Sequence, residues 1–588
     1  MPSTTSQPRP DQIYTSTIPS PPLPRTTVFN YLFPASSAKA ATDNYPKPNL
    51  NKVSYIDGIT GQTLTREQTE TKAKQLAVGL KKRGVKTGEV GCIFGMNSLD
   101  WVVACFGLQA LGVVVSPANY AYTPSELLHQ LSDSTSSLAF VQPALLPVLL
   151  EALKLDKSYS ISPERIFLLC PKGEKPKDLQ NKFESIEELL EESLSKDELN
   201  NVVQKYTDGL EKDTAYLCYS SGTTGRGKGV ETSHHNVTSQ IQAVNLVYEP
   251  QTGDDVILGI LPFSHIYGLT VVLQQPLTYN GTIVVLPRFE EAPVLNAIQK
   301  YKITWALVVP PILIALLNSP NVKETTLSSL RGLQSGAAPL SSDLIQAFES
   351  RFPHIRITQG YGLTETTPVS HVMTLEEGQA HRGCIGRIAP TYQARLVDYE
   401  SGKDCEKGER GELWLRGPSV MKGYWRNEEA TKGVFAPGGW FMTGDVAVID
   451  DQGYFSIVDR VKELVKYKGF QVPPAELEAL LLTHPDVADV GVIGIWSKEQ
   501  ATELPRAYIV PRGGLSSISE KSKNELSTKI QKWVEGKVSN HKRLRGGVIL
   551  IEAIPKSPSG KILRKDLRVL AKKEEEQDEV KKGRKAKL

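Results

Sequence analysis

A short loop crowded with glycines and hydroxyl side chains places the tightest constraint on how this chain folds. Residues 219–229 read Tyr-Ser-Ser-Gly-Thr-Thr-Gly-Arg-Gly-Lys-Gly. Glycines let a backbone approach an anion closely, main-chain N–H groups and hydroxyls donate hydrogen bonds, and Arg226 and Lys228 add positive charge. This composition predicts a phosphate-binding loop for a nucleoside triphosphate. The alternative is a flexible Gly/Ser/Thr connection between two elements.

The loop has the G-x-x-x-x-G-K spacing of a Walker P-loop, but the match ends at Lys228. A P-loop requires Ser or Thr after the lysine to bind Mg²⁺, and it opens directly into a helix. Here Gly229 follows the lysine, and the next helical pattern begins further on, with Ser233 or Asn236 as its cap. The loop is therefore predicted to belong to a different phosphate-binding fold.

The rest of the chain alternates β-rich runs with longer helical patterns, such as residues 90–94 and residues 65–83. A chain of 588 residues is too long for one core. We predict the α/β class, with a large multi-subdomain N-terminal α/β domain and a smaller, mobile C-terminal α+β domain. The predicted parts are a flexible tail (1–27), a large domain that carries the phosphate-binding loop (28–460), a hinge (461–468), the mobile domain (469–570) and a charged tail (571–588).

Composition favours small-molecule ligands. The net charge is +3, from 68 basic and 65 acidic residues, so no broad electrostatic footprint for nucleic acid is present. Six cysteines lack the spacing of a zinc site or a disulfide framework, which fits a reducing compartment. The apolar stretch 101–118 contains Gln109 and is predicted to be a buried helix followed by a strand, with no membrane span.

Six further motifs follow one another in a fixed order. They are residues 261–268 (LPFSHIYG), 335–340 (SGAAPL), 359–366 (QGYGLTET), 443–445 (TGD), 459–471 (DRVKELVKYKGFQ) and 558–561 (PSGK). Together with the phosphate loop they resemble the adenylate-forming superfamily of acyl-CoA synthetases, luciferases and adenylation domains, and most closely the 4-coumarate:CoA ligases. The resemblance extends from about Asp57 to about Leu570.

The resemblance implies an AMP-forming acid–thiol ligase. ATP converts a carboxylic acid into an acyl-adenylate with release of pyrophosphate, and the thiol of CoA then forms a thioester. Its co-substrates would be ATP and CoA, and its cofactor Mg²⁺. Two alternatives stay open: a luciferase-like oxygenase acting on an acyl-adenylate, and a non-catalytic nucleotide-binding module. The module predicts damage at Lys561 or Glu365, and both residues are present.

Four residues match catalytic positions of the family. Thr364 resembles the threonine that contacts phosphate, and Glu365 resembles the metal ligand, a hard oxygen donor that suits Mg²⁺. Lys561 is similar to the lysine that bridges the attacking carboxylate and the α-phosphate. His265 resembles the histidine at the acyl pocket, with a buried structural histidine as the alternative.

The nucleotide-binding residues implied by the resemblance come from five motifs. Asp445 resembles the carboxylate that accepts hydrogen bonds from the ribose hydroxyls, with Arg460 beside it, and Tyr361 resembles the ring partner of adenine. The full set is Ser220, Ser221, Gly222, Thr223, Thr224, Gly225, Lys228, Gly336, Ala337, Ala338, Gly360, Tyr361, Gly362, Thr364, Asp445 and Arg460.

The small domain is expected to present a second face for thioester formation. Lys462 matches the family's hinge position, and Lys466, Gly469 and Gln471 match residues of the CoA step or the pantetheine passage. A glycine suits a place where a narrow arm passes a backbone.

The acyl pocket departs from that of the coumarate ligases. Gln334 stands where those enzymes commonly carry lysine, and Thr270 stands where asparagine is frequent. We therefore expect an aryl, arylalkenyl or medium-chain acid, without fixing hydroxycinnamate. The predicted wall is Ile266, Tyr267, Thr270, Leu307, Gln334, Pro368, Val369 and Ser370.

The carboxyl terminus, Ala586-Lys587-Leu588, is close to the Ser-Lys-Leu address that a peroxisomal import receptor reads. We therefore predict a peroxisomal location, with the cytoplasm as the alternative. The amino terminus is rich in Pro, Ser and Thr and has no apolar signal core.

Overall fold

The computed structural model describes residues 12–34, 47–191, 193–205, 207–220, 226–247, 252–468, 470–497, 500, 502–515, 519–557 and 560–585. Within these ranges the chain forms a large domain of sheets and helices followed by a small α+β domain, which confirms the predicted fold class. One hydrophobic cluster runs through both main sheets of the large domain, whereas separate clusters form the core of the small domain.

The first main sheet has eight strands and carries the approach to the phosphate loop. Its strands lie parallel except at the edge, where Lys228–Ser233 pairs antiparallel with Thr214–Ser220 and with Gly423–Tyr424. The spatial order is Gly423–Tyr424, Lys228–Ser233, Thr214–Ser220, Val114–Ala118, Val90–Phe94, Leu138–Val141, Ile166–Leu168 and Glu184–Ser185.

The second main sheet has seven strands and is parallel except for its last pair. The segments that follow the strands Gly332–Ser335 and Arg356–Gln359 carry the 336–338 and 360–366 motifs, so both motifs leave the same edge of the sheet. The order is Arg356–Gln359, Gly332–Ser335, Trp305–Val308, Val256–Gly259, Thr282–Val285, Val53–Asp57 and Thr63–Thr65.

A third, antiparallel sheet ends the large domain and carries the ribose motif. Its order is Tyr14–Thr15, Gln393–Val397, Gly411–Arg416, Trp440–Ile449 and Phe435–Ala436, with Phe455–Arg460 also paired to Trp440–Ile449. Along the chain, a small three-stranded sheet comes between the strand Arg356–Gln359 of the second main sheet and the strand Gln393–Val397 of the third sheet. Its strands are Tyr361–Gly362, Val369–Val372 and Arg387–Ile388. The register of the third sheet sets Asp445 opposite Arg460.

Several α-helices begin at a residue whose side chain caps them. Thr65 caps Arg66–Lys82 through a capping box with Gln68, where the sequence predicts a helical pattern at 65–83. Ser233, one of the two predicted caps, caps His234–Val244 through a capping box with Asn236. The α-helices are Val28–Leu32, Arg66–Lys82, Leu99–Leu111, Pro124–Ser134, Leu146–Leu155, Ile186–Leu189, Lys196–Val202, His234–Val244, Glu291–Tyr301, Pro310–Asn318, Ser342–Arg351, Leu375–Ala380, Glu428–Lys432, Pro474–Leu482, Glu520–Glu535 and Arg564–Lys585. A π-helix spans Tyr267–Gln274.

The long apolar stretch forms the buried helix Leu99–Leu111 and the strand Val114–Ala118, as predicted. Gly112, at φ +77°, ends that helix in the left-handed conformation that glycine tolerates best. Among the described residues, none of the helices combines the length and the apolar character that a membrane crossing requires.

The small domain packs a three-stranded sheet of Val487–Ser497, Thr502–Pro511 and Val548–Leu550 against its helices. A hairpin of Val465–Tyr467 and Phe470–Val472 adds to it, and Val465, Tyr467 and Val472 are buried in its core. Part of the predicted hinge, 461–468, is therefore a strand of the small domain, and the connecting turn is residues 461–464.

Both predicted tails contain ordered structure. Residues 14–15, assigned to a flexible tail, form a strand that pairs with Gln393–Val397, and the Tyr14 ring contacts the edge of the Phe455 ring. The helix Arg564–Lys585 begins in the small domain and continues into the predicted charged tail. Ala571, a residue of this helix, is buried in a hydrophobic cluster of the small domain. The sequence assigned flexibility from polar composition alone, whereas long-range contacts order these segments.

Candidate active site

A cavity of about 720 Å³ lies between the large domain and the small domain. Its wall has three parts. They are segments that follow strands of the main sheets, the hinge turn, and the turn around Lys561. The predicted site residues in this wall are Ser220, Lys228, His265, Ile266, Tyr267, Gln334, Gly336, Ala337, Gly360, Tyr361, Gly362, Thr364, Glu365, Pro368, Val369, Arg460, Lys462 and Lys561.

The phosphate loop itself lies outside the described residues at Ser221, Gly222, Thr223, Thr224 and Gly225. Its two flanks are described: Ser220 ends one strand, Lys228 begins the next, and both line the cavity. The antiparallel register pairs Lys228 with Ser220, so the two ends of the loop lie side by side at the cavity wall.

Three residues form a charged cluster at the predicted ribose position. The Tyr361 hydroxyl donates to Asp445 Oδ2 at 2.6 Å, and the Arg460 Nε lies 3.0 Å from Asp445 Oδ1. Burial and the Asp445 carboxylate raise the pKa of Tyr361 well above its usual value, so its phenol stays a donor. Asp445 is buried behind Tyr361 and Arg460, which line the cavity. Ala338, the remaining predicted adenine contact, lies outside this wall.

Glu365 lies on the cavity next to Thr364 and has a hydrogen-bond partner that the sequence does not reveal. The Tyr424 hydroxyl donates to Glu365 Oε1 at 2.9 Å. The Lys228 Nζ lies 4.8 Å from the centroid of the same Tyr424 ring, which is a cation–π distance. Tyr424 therefore contacts both the flank of the phosphate loop and the predicted metal ligand.

Lys561 brings the small domain into the cavity. It closes a tight turn in which its own N–H donates to Ser557 Oγ at 3.1 Å, and Gly560 in that turn has φ +79°. A Cβ added to Gly560 would lie 3.2 Å from Val309 and 3.3 Å from Pro311 of the large domain, so the turn packs closely against that domain.

The electrostatic surroundings of Lys561 come from both domains. Burial lowers the pKa of the Lys561 ammonium to about 8, and the Arg460 guanidinium acts in the same direction. The carboxylates of Asp445, Glu463 and Glu365 oppose this shift. The lysine is therefore mainly protonated at neutral pH and adds a positive charge beside the predicted phosphate and ribose residues.

His265 lines the same cavity and is neutral. Burial lowers the pKa of its imidazole to about 4, and the charge of Lys561 lowers it further. The N–H of Tyr267 donates to His265 Nδ1 at 3.3 Å, which leaves the other ring nitrogen as the N–H donor. A neutral imidazole can donate a hydrogen bond to an acyl oxygen without repelling Lys561.

The residues predicted for the CoA step lie elsewhere. Lys466 is exposed, and its backbone N–H donates to Glu503 Oε2 at 2.8 Å within the small domain. Gln471 contacts the surface of the large domain, where its Oε1 accepts from the Tyr399 hydroxyl at 2.6 Å. Gly469 lies outside the described residues. Neither Lys466 nor Gln471 lines the cavity in this arrangement.

The acyl wall is partly as predicted. Ile266, Tyr267, Gln334, Pro368 and Val369 line the cavity. The Gln334 side chain is buried, and its Oε1 has no hydrogen-bond partner among the described residues. The predicted wall residues that do not reach the cavity are fully or almost fully buried behind it: Thr270, Leu307 and Ser370.

Other cavity residues were missed by sequence reasoning. They lie outside the recognised motifs, so no spacing or composition marks them. Only Tyr424 carries a weak signal, since it is an aromatic residue between glycine and tryptophan in an otherwise polar segment. The set includes Asn119, Tyr122, Glu126, Glu412, Tyr424 and Lys556.

Comparison with known proteins identifies the family. Residues 43–425 match the AMP-binding enzyme family, and residues 476–561 match the AMP-binding enzyme C-terminal domain. The chain belongs to the AMP-binding enzymes. The first match lies within the predicted large domain and the second within the predicted small domain.

Relatives of this AMP-binding enzyme match it over nearly its whole length. Peroxisomal OPC-8:0-CoA ligase 1 of Arabidopsis thaliana is 37% identical over 94% of this chain and 94% of its own length. 4-coumarate–CoA ligase 1 of Petroselinum crispum is 37% identical over 88% of this chain and 92% of its own.

Solved structures include the anthranilate CoA ligase AuaEII with anthranoyl-AMP, which has a TM-score of 0.79 and 26% identity over 94% of this chain and 98% of its own. The predicted superfamily and activity, ATP-dependent ligation of a carboxylic acid to CoA, are therefore confirmed.

Proposed function

We propose that this single cavity carries out both steps of the ligation, and that the structure has the arrangement for the first step. The observation that carries the proposal is the place of Lys561: a residue of the small domain lies in the same wall as Glu365, Arg460 and His265 of the large domain. An acid, an α-phosphate and a cation between them can meet only in such a composite site.

In the first step a carboxylate oxygen of the acid bonds to the α-phosphorus of ATP, and the bond from phosphorus to pyrophosphate breaks. The Lys561 ammonium stabilises the negative charge that develops between the two reactants. The Asp445 carboxylate accepts hydrogen bonds from the ribose hydroxyls, and its ion pair with Arg460 holds it in place. Thr364 and the flanks of the phosphate loop contact the phosphates.

Glu365 is the residue that would hold Mg²⁺. Its carboxylate lies in the cavity wall, and the described residues contain no group of three or more His, Cys, Asp or Glu side chains suited to a metal. One carboxylate fits a metal that takes its remaining ligands from phosphates and water. When bound, Mg²⁺ neutralises phosphate charge, and Tyr424 orients the carboxylate that receives it.

In the second step the sulfur of CoA bonds to the acyl carbon, and the thiol proton passes to solvent. The bond from the acyl carbon to the phosphate oxygen breaks, and AMP leaves with its electron pair. Lys466 and Gln471, two of the residues matched to this step, lie away from the cavity, and Lys466 is exposed. Rotation of the small domain about Lys462 would exchange Lys561 for the hairpin that carries Lys466 and Gln471.

The acid is proposed to be an aryl, arylalkenyl or medium-chain carboxylic acid. Ile266, Val369 and Pro368 form an apolar wall, and the Oε1 atom of Gln334, which has no partner among the described residues, can accept a hydrogen bond from one polar group of the acid. Relatives named for 4-coumarate and OPC-8:0, and a structural neighbour named for anthranilate, fit this range.

A panel of such acids tests the proposal in a pyrophosphate-release assay with and without CoA. We expect acid-dependent pyrophosphate in both cases and a CoA thioester only with CoA. Light or carbon dioxide from the adenylate would instead indicate the luciferase-like reaction. Absence of pyrophosphate release with every acid would favour a non-catalytic module.

We also propose that the chain is imported into peroxisomes through Ala586-Lys587-Leu588, which lie outside the described residues. The motif and the peroxisomal relative support this location. A fluorescent fusion that ends in these residues is expected in peroxisomes.

A further inference from the structure

Arg564 occupies a buried position three residues after Lys561, at the start of the last helix. Its Nη1 lies 2.6 Å from Glu463 Oε2, and its Nη2 lies 2.7 Å from Glu478 Oε2. Its Nε donates to the Val492 carbonyl at 3.2 Å. All three nitrogens of the guanidinium therefore have partners in a fixed geometry, which a flexible surface arginine would lack.

These partners belong to two different parts of the protein. Glu478 and Val492 lie in the small domain, whereas Glu463 lies in the connecting turn. The N–H groups of Glu463 and Leu464 donate to the Arg460 carbonyl at 2.9 and 3.0 Å and close the turn, and the N–H of Val461 donates to the Gly444 carbonyl of the large domain at 2.9 Å. Arg564 thus joins the small domain to the turn that connects the two domains.

A second contact crosses at the same place. Asp459, the strand residue before Arg460, accepts from the N–H of Ala475 at 2.9 Å, at the start of the helix Pro474–Leu482. Burial raises the pKa of Asp459 to about 7, and the positive charge of Arg564 opposes that rise. Arg564 therefore offsets the charge of three buried carboxylates: Asp459, Glu463 and Glu478.

The segment between Arg564 and Lys561 is short and internally bonded. The N–H of Ser557 donates to the Lys561 carbonyl at 2.8 Å, and the N–H of Leu563 donates to the Pro555 carbonyl at 2.8 Å. Such a closed turn moves as one body with the start of the helix. Fixing Arg564 therefore fixes where the Lys561 ammonium lies in the cavity.

We propose that Arg564 is a positioning residue for adenylate formation, which holds the Lys561 turn in the cavity by pairing with Glu463 of the hinge turn and Glu478 of the small domain. This inference rests on the role proposed above for Lys561. Arg564 itself does not line the cavity, so it acts through Lys561 and not on the reactants.

The test measures the two half-reactions separately: acid-dependent pyrophosphate release without CoA, and thioester formation from supplied acyl-adenylate. Glu463→Gln removes the bond from Arg564 to the hinge turn and leaves the pair of Arg564 with Glu478. We expect adenylate formation to fall by roughly 10- to 100-fold, mainly in kcat, because a small misplacement of a reacting group has effects of that size. Thioester formation should stay within about twofold.

Two arginine variants extend the test. Arg564→Lys keeps the charge and should retain more adenylate formation than Arg564→Met, which leaves buried carboxylates unpaired. Arg506→Lys is the matched control: it alters another small-domain arginine whose partner, Glu574, lies away from the hinge, and it should leave both half-reactions unchanged.

A pH profile separates positioning from mere stability. Since the Glu463 carboxylate raises the pKa of Lys561, Glu463→Gln should also move the loss of adenylate formation at high pH to lower pH. Equal slowing of both half-reactions in Glu463→Gln, or an unshifted profile, would overturn the positioning role. Lys561→Ala distinguishes the two claims, because full adenylate formation in that variant contradicts the proposed function itself.

Discussion

Adenylate formation should lose activity as the pH rises through about 8, because the ammonium of Lys561 must be protonated to meet the developing charge. The pKa of Lys561 is lowered to about 8 by burial and by Arg460. At one unit below this pKa roughly nine-tenths of the enzyme is protonated, and at one unit above it roughly one-tenth. We therefore expect kcat/KM for adenylate formation to fall by about tenfold between pH 7 and pH 9.

Other cavity groups do not account for such a limb. His265 has a pKa of about 4 and stays neutral across this range, and the pKa of Tyr361 lies well above it. Asp459 has a pKa of about 7, so it titrates at lower pH than Lys561. Its effect on the rate would persist in variants of Lys561. The kcat/KM profile is the appropriate quantity, since it reports the ionisation of the free enzyme.

The assay is pyrophosphate release without CoA, at limiting ATP, from pH 6 to pH 10 (about the range in which the lysine titrates). Lys561→Ala should lower the rate by roughly 10²- to 10³-fold, as loss of other charge-stabilising groups does, and should lack the limb near pH 8. Lys561→Arg, which keeps its charge, should move the limb beyond the tested range. A limb near pH 8 that survives in Lys561→Ala would refute the assignment.

Three further predictions concern the acyl wall, the metal ligand and the terminus. Gln334→Leu should change the preference for acids that carry a polar group by about 1 kcal/mol without impairing ATP use, and an unchanged ranking across the acid panel would place Gln334 outside the acyl site. Tyr424→Phe removes one hydrogen bond to Glu365, worth about 1.5–3 kcal/mol for a charged acceptor. Calorimetry should therefore show that ATP binding requires a higher Mg²⁺ concentration, and an unaltered concentration would contradict this role of Tyr424. A fluorescent fusion lacking residues 586–588 should stay in the cytoplasm, and peroxisomal accumulation would exclude this address.

The sequence identified the fold and the cavity residues that lie within motifs. Fold class followed from alternating periodicities, and the helical pattern at 65–83 and the cap Ser233 marked helix starts to within a residue or so. The motif residues Glu365, Arg460 and Lys561 meet in one wall although about 200 residues separate the first from the last. Their chemistry is local to each motif, so each could be predicted without knowing the contacts.

Contacts between distant segments could not be predicted in this way. Tyr424 contacts Glu365 only because the strand Gly423–Tyr424 pairs with Lys228–Ser233 at the edge of the first sheet, and this pairing has no signature in the sequence. Thr270 was predicted in the acyl wall, but its hydroxyl donates to the Ile266 carbonyl within the π-helix and it is fully buried. Which face of a helix meets a cavity depends on packing that a motif does not encode.

Under the proposed rotation of the small domain, the contacts that hold Lys561 in the cavity must also be weak enough to break in every catalytic cycle. Those that link the small domain to the large domain or to the hinge turn include the hydrogen bond from Ala475 to the Asp459 carboxylate, the pair of Arg564 with Glu463, and the bond from Tyr399 to Gln471. Net contributions of about 1 kcal/mol for the neutral hydrogen bond and about 2 for each charged one give a total of roughly 5 kcal/mol. A difference of this size favours one arrangement strongly yet leaves the other within reach by domain motions on the microsecond-to-millisecond timescale. Such polar contacts between described residues near the pivot therefore suit the proposed enzyme, whose two steps use different faces of the same domain.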